Sequence, residues 1–220
     1  GHSWGATIAM KAALTMGDRL RQMVLVEPNP FFLLKRPGYE DGRADIDLMA
    51  KPAQVLAEDG QYSKMGKLFI DYWFGAGSWQ AMDEKRRTGI TAMMPTIRDS
   101  WDGCMEGPET IEAWTDHAAR TLLITSADTR LSVRRLRDQM LDHLPGLRSC
   151  VTPEGGHMAV VNQPDLRQEV HPPLVYDWDC VDLNPYLMAH YGLGERTITL
   201  ITTRGCPHTC TFCYGCNPRG

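Results

Sequence analysis

The chain has 220 residues, room for one or two domains, with 43% apolar and 23% charged residues and a net charge of −4, as in an ordinary globular protein. The negative balance gives no reason to expect nucleic acid or an anionic membrane as partner, and no apolar run approaches the ~18 residues of a membrane span. Of seven cysteines, Cys104, Cys150 and Cys180 are scattered and four crowd into residues 206–216, which reads as metal binding in a reducing cytoplasm, not as a secreted disulfide framework.

The first stretch is Gly1-His2-Ser3-Trp4-Gly5, a G-x-S-x-G pattern. In a nucleophile elbow a strand turns sharply into a helix and holds a serine hydroxyl at the apex, and the flanking glycines let backbone pass without a Cβ clash. Serine between glycines also occurs in ordinary turns, so Ser3 needs support from downstream. A helix follows, with Ala6, Ile8, Ala9, Ala12, Ala13 and Met16 as its packing face and Gly17 as its stop. The strand that should feed the elbow does not precede it, and the chain reads as a fragment.

Residues 22–26 form a short apolar strand ending in Glu27-Pro28-Asn29-Pro30, where two prolines forbid continuation. A loop spans residues 31–43. Residues 45–118 read as a helical block, with candidate helices at Asp45–Ala57, Tyr62–Trp73, Ser78–Met93 and Pro108–His117. Its large side chains, among them Phe69, Trp73, Trp79, Trp101 and Trp114, suit either a packed helical interior or the underside of a lid over an apolar pocket. A second strand, Arg120–Thr125, leads to Ser126-Ala127-Asp128, and a helix covers Ser132–His143. A third strand, Leu147–Thr152, leads through Pro153-Glu154-Gly155-Gly156-His157 into a helix to about Gln168. This alternation predicts a parallel α/β sheet, in which Ser3, Asp128 and His157 each follow a strand and emerge on one edge.

A serine hydroxyl needs a base for its proton, and the base needs a third group to fix its tautomer. The chain order Ser3, Asp128, His157 suits such a set. On the segments GHSWGA, TLLITSAD and PEGGHMAVVNQPDL, residues 1–168 resemble the C-terminal part of an α/β-hydrolase, with residues 45–118 where that family carries its lid. The resemblance implies Ser3 as nucleophile, His157 as general base, Asp128 as orienting acid and the Trp4 backbone N–H as an oxyanion donor. Glu27, which also follows a strand, competes with Asp128 as acid. His2 reads as a packing residue of the elbow. The hydrophobic lid argues for a small substrate with an apolar or aromatic acyl group, and the hydrolase part calls for no cofactor.

After Gln168 the composition changes. Residues 169–195 are a proline-containing, aromatic and acidic lead-in, and residues 196–203 a β-branched strand. Then Cys206, Cys210 and Cys213 stand at C-x3-C-x2-C spacing, which can hold three corners of a [4Fe–4S] cube. With the wording TTRGCPHTCTFCY, the tail resembles the start of a radical S-adenosylmethionine enzyme of the subgroup with a cobalamin-binding domain. That implies a [4Fe–4S] cluster on the three cysteines and S-adenosylmethionine as cofactor, with Phe212 and Tyr214 shielding them. Cys216 keeps a zinc knuckle open as the alternative. The expected architecture is thus a partial α/β-hydrolase parallel sheet with a helical lid, plus a poorly anchored tail, residues 196–220, carrying the first strand and cluster loop of a radical SAM barrel. Two part-domains of unrelated character suggest either a fusion or an accidental join, and a non-catalytic remnant stays as a further reading.

Overall fold

The computed structural model describes residues 1–159, all within the first of the chain's two units, Gly1–Pro172. Three parallel strands, β1 (Met23–Val26), β2 (Thr121–Ser126) and β3 (Arg148–Thr152), pair in that order. Val26 lies opposite Ile124, and Ile124 opposite Cys150. Residues 1–3 continue the sheet past β1. His2 forms a parallel bridge with Val26, the Val26 N–H donates to the Gly1 carbonyl at 2.9 Å, and the Ser3 N–H donates to the Val26 carbonyl at 2.9 Å. The elbow therefore stands on the sheet edge that the sequence pattern calls for.

The helix after the elbow, α1 (Trp4–Met16), buries Ala6, Thr7, Met10 and Ala13. This corrects the expected face, since Ile8 and Met16 are 47% and 38% exposed. The tight turn at Ser3 sets the rotation of the helix, and hydrophobicity alone does not reveal it. Gly17, at φ 53°, ends α1 as expected.

Between β1 and β2 lies the helical block: α2 (Glu40–Glu58), α3 (Tyr62–Phe74), α4 (Ser78–Ala81) and α5 (Glu84–Met105). The first helix begins before Asp45 because Glu40 and Asp41 suit a first helical turn. The helix expected over Ser78–Met93 is two, divided where the Asp83 carboxylate accepts the Arg86 N–H at 2.7 Å and caps α5. Gly103 lies inside α5, near its end at Met105. A Cβ there would lie 2.2 Å from the Trp4 indole, so the glycine lets helix and ring pack in contact. Residues Ile111–Arg120 form a 3-10 run, and the Trp114 indole N–H donates to the Met10 carbonyl at 2.7 Å, tying this run to α1.

After β2, α6 (Leu131–His143) packs Val133, Leu136 and Met140 into the same core as Leu25, Leu34, Ile46, Met49 and Leu123. A partly buried polar joint fastens the helical block to this layer. Asp45 accepts from Arg130 at 2.7 Å, from the Tyr72 hydroxyl at 2.8 Å and from the Ser132 N–H at 3.1 Å. Burial alone would raise the Asp45 pKa, but these donors together hold it below the ordinary carboxylate value. Among the described residues no helix is long and apolar enough to cross a membrane.

Candidate active site

The strand ends deliver the chemistry. Ser3 follows the sheet-edge residues 1–2, Glu27 follows β1 and Asp128 follows β2. Ser3 and Glu27 are the two non-glycine residues with positive φ among those described, at 54° and 47°. Such backbone costs on the order of 1–3 kcal/mol each and persists only where surrounding contacts enforce it. Gly1 meets that demand, because a Cβ there would lie 2.3 Å from the Gly5 carbonyl oxygen. Gly5 does not fill the matching role, since a Cβ on it would meet open space.

His157 arrives from the other side. Gly155 and Gly156, at φ 106° and 56°, turn the chain after β3 into a short 3-10 turn that carries the histidine. Its Nε2 lies 2.8 Å from Ser3 Oγ and its Nδ1 3.3 Å from Glu27 Oε2. Glu27 is 1% exposed and His157 6%. With Nδ1 protonated toward the carboxylate, Nε2 is free to accept the serine proton; this tautomer is assigned from the hydrogen-bond pattern. Glu27 is itself fixed. Its Oε1 accepts the Ser126 N–H at 2.6 Å, and its Oε2 also accepts the Thr129 hydroxyl at 2.5 Å.

Asp128, the carboxylate expected against the imidazole, is engaged elsewhere. It accepts the Gly156 N–H at 2.7 Å, the Gly155 N–H at 3.1 Å and the Ser126 hydroxyl. The position facing His157 Nδ1 is Glu27's, so the structure favours the competitor and corrects the expected geometry. The reason is local. The turn after β2 aims Asp128 at the backbone of the histidine loop, while Glu27, held at positive φ, meets the ring edge at Nδ1. Those donors, the Ser126 hydroxyl first, hold the Asp128 pKa below the ordinary carboxylate value. Asp128 thus braces the loop that delivers His157.

His2 does more than pack the elbow. Its Nε2–H donates to the His157 carbonyl at 2.7 Å, and the two rings lie 5.0 Å apart. Burial first, and the neighbouring His157 second, lower its pKa, so it serves as a neutral tether. Trp4 opens α1, and its N–H is one of those that a helix leaves without an intrahelical acceptor. From the helical block, Trp73 stacks on His157 at 4.0 Å between ring centroids with 27° between planes, and Phe31, Phe69 and Tyr72 surround Trp73. The block's underside therefore covers the imidazole, while Trp79 and Trp114 belong to the packed interior.

One participant has no counterpart among the expected residues. Asn29 Nδ2 lies 3.4 Å from Ser3 Oγ, and Asn29 Oδ1 accepts the Thr7 hydroxyl at 2.8 Å. The signal in the sequence is slight, a polar residue held between two prolines at a strand end.

The cluster residues Cys206, Cys210 and Cys213, with Phe212 and Tyr214, lie outside the described residues, as does the helix expected to run to Gln168. Among the described residues no group of His, Cys, Asp and Glu side chains is placed to hold a metal ion.

Among curated proteins none matches the chain. It is similar in structure to MGS-M2, an α/β hydrolase enzyme from a Medee basin deep-sea metagenome library, with 19% identity, a TM-score of 0.57, and coverage of 80% of this chain and 66% of that one. It is similar to BpoC from Mycobacterium tuberculosis H37Rv, described as a non-heme bromoperoxidase, with 20% identity, a TM-score of 0.53, and coverage of 77% and 63%. It is also similar to olei00960, a hydrolase from Oleispira antarctica, with 18% identity, a TM-score of 0.55, and coverage of 77% and 61%. Each likeness speaks for the fold, and the chain spans less than two thirds of each of these proteins. None of them lends support to the radical SAM resemblance of the tail. Residues 1–167 match the model of the alpha/beta hydrolase family. With the parallel sheet, the elbow on its edge and that match over most of its length, the chain belongs to the α/β hydrolase family.

Proposed function

We infer that the protein is a serine hydrolase acting on an ester or similar acyl bond, with Ser3 as nucleophile, His157 as general base and Glu27 as the acid that orients it. The observation that carries this reading is the unbroken line of polar contacts from Ser3 Oγ through both imidazole nitrogens to the buried Glu27 carboxylate. In the first half-reaction Ser3 Oγ attacks the acyl carbon and its proton passes to His157 Nε2. The oxyanion takes a hydrogen bond from the Trp4 N–H. His157 then gives its proton to the departing oxygen, leaving an acyl-serine. Water attacks that ester with His157 again as base, and the Ser3–acyl bond breaks. Glu27 keeps Nδ1 protonated and offsets the imidazolium charge throughout. The aromatic patch around Trp73 favours an apolar or aromatic acyl group.

The test is labelling with a fluorophosphonate probe followed by peptide mass mapping. The adduct is expected on Ser3 and absent in Ser3→Ala. An unlabelled wild type, or equal labelling of Ser3→Ala, overturns the assignment.

A further inference from the structure

We propose that Asn29 is a further catalytic residue, whose side-chain N–H donates to Ser3 Oγ and holds the nucleophile in its reactive rotamer. This rests on the serine-hydrolase reading above. Asn29 Nδ2 lies 3.4 Å from Ser3 Oγ, on an oxygen that also meets His157 Nε2 at 2.8 Å. A hydroxyl has one proton and two lone pairs. With the proton directed at His157, a lone pair remains for Asn29. The contact is long, as catalytic hydrogen bonds often are before substrate binds.

The surroundings of the amide decide which end faces the serine. Its Oδ1 accepts the Thr7 hydroxyl at 2.8 Å and the Cys104 thiol at 3.6 Å. Burial pushes that thiol's pKa up to about 12, so it stays protonated and can donate. Two donors therefore fix the oxygen on the far side, and the NH₂ group turns to Ser3 by assignment from this network. The backbone is held as well. The Asn29 N–H donates to Thr7 Oγ1 at 3.3 Å, the Asn29 carbonyl accepts the Phe31 N–H at 2.8 Å, and Pro30 restricts the backbone of the residue before it. Asn29 is 8% exposed and Thr7 fully buried, so water competes little for these groups. A buried amide with its polar groups engaged and one N–H aimed at the nucleophile is a preorganised donor.

The chemistry gives the donor a use in both halves of the reaction. During attack it keeps Oγ in line with Nε2. When the acyl-serine breaks down, Oγ is the leaving group. His157 returns a proton to it while the Oγ–acyl bond breaks, and the Asn29 N–H shelters the charge that develops there before the proton arrives.

The experiment measures the second-order rate of fluorophosphonate labelling per folded molecule, with melting followed in parallel. Asn29→Asp keeps the shape and an acceptor for Thr7 but turns an oxygen toward Ser3; labelling is expected to slow about 100-fold. Thr7→Val frees the amide to flip and should slow labelling about fivefold to tenfold, with Thr7→Ser restoring it to within about twofold. A merely structural role would lower the melting temperatures of Asn29→Asp and Thr7→Val while leaving the rate per folded molecule unchanged. That result, or equal rates in Thr7→Val and Thr7→Ser, overturns the proposal while the serine reading stands. A wild type that does not label overturns both.

Discussion

Replacing Glu27 by glutamine separates the two carboxylates that follow β1 and β2. The carboxylate accepts three hydrogen bonds, from Ser126 N–H on Oε1 and from the Thr129 hydroxyl and His157 Nδ1 on Oε2. A glutamine fills the same volume but must turn its NH₂ toward one side. A backbone N–H cannot become an acceptor, so the amide oxygen stays at Ser126. Thr129 can rotate its hydroxyl, and His157 can move its proton from Nδ1 to Nε2. The glutamine NH₂ therefore faces His157 and selects the tautomer whose Nε2–H points at Ser3 Oγ. Few hydrogen bonds are lost, so stability changes by about 1 kcal/mol or less. The base, however, can no longer take the serine's proton. Where a triad carboxylate becomes an amide the loss is roughly 10⁴-fold. With the longer 3.3 Å contact here we expect about 10³–10⁴-fold, or roughly 4–5.5 kcal/mol of barrier. Asp128→Asn instead turns one N–H at the Gly155 amide and loosens the histidine loop, and should cost about tenfold. The assay is the rate of fluorophosphonate labelling for both variants at matched folded fraction. The reasoning is refuted if Glu27→Gln labels within tenfold of wild type, or if Asp128→Asn loses as much as Glu27→Gln.

Trp73→Ala removes the ring stacked on His157 and is expected to slow labelling about threefold to tenfold, with Trp73→Phe between; an unchanged rate would show that the stack does not hold the imidazole. Gly103→Ala drives a methyl into the Trp4 indole, and urea melts should show a loss of about 1–3 kcal/mol together with a shift in tryptophan emission. The Asp45 pKa is lowered in the folded protein from an ordinary value of 3.8, so its contribution to stability is fully present above that value and is lost as pH falls through the folded value. Thermal melts below pH 3.8 should therefore fall more steeply in wild type than in Asp45→Asn, and parallel curves would contradict that account.

Much of the scaffold is legible in the order of residues. Short apolar runs at residues 22–26 and 120–125 suit buried strands by their length and β-branched content, and the first is closed by prolines, while longer patterns mark the helices between. The glycines at residues 1 and 155–156 announce the backbone turns that bring Ser3 and His157 to one rim. These are local signals, because each turn's conformation depends on the residue that must adopt it. Helix limits are less legible. Asp83 divides one expected helix, and its second part runs on past Met93 to Met105, with Gly103 leaving space for Trp4.

The choice between Glu27 and Asp128 lies beyond local pattern. Both follow strands of one parallel sheet, and the local wording around Asp128 points to the carboxylate that does not face His157. What decides is which groups reach them from elsewhere. Ser126, Thr129 and His157 converge on Glu27 from about a hundred residues or more away, while the amides of the histidine loop close on Asp128. Asn29 is the same case, since a polar residue between prolines becomes meaningful only when Thr7 and Cys104 settle its orientation. Sequence thus determined the strands, the elbow and the loop that carries His157, because those follow from the conformational limits of neighbouring residues. Tertiary structure decided which carboxylate meets His157 and which amide meets Ser3. Hydrogen bonds between distant segments form only once the sheet has set their register.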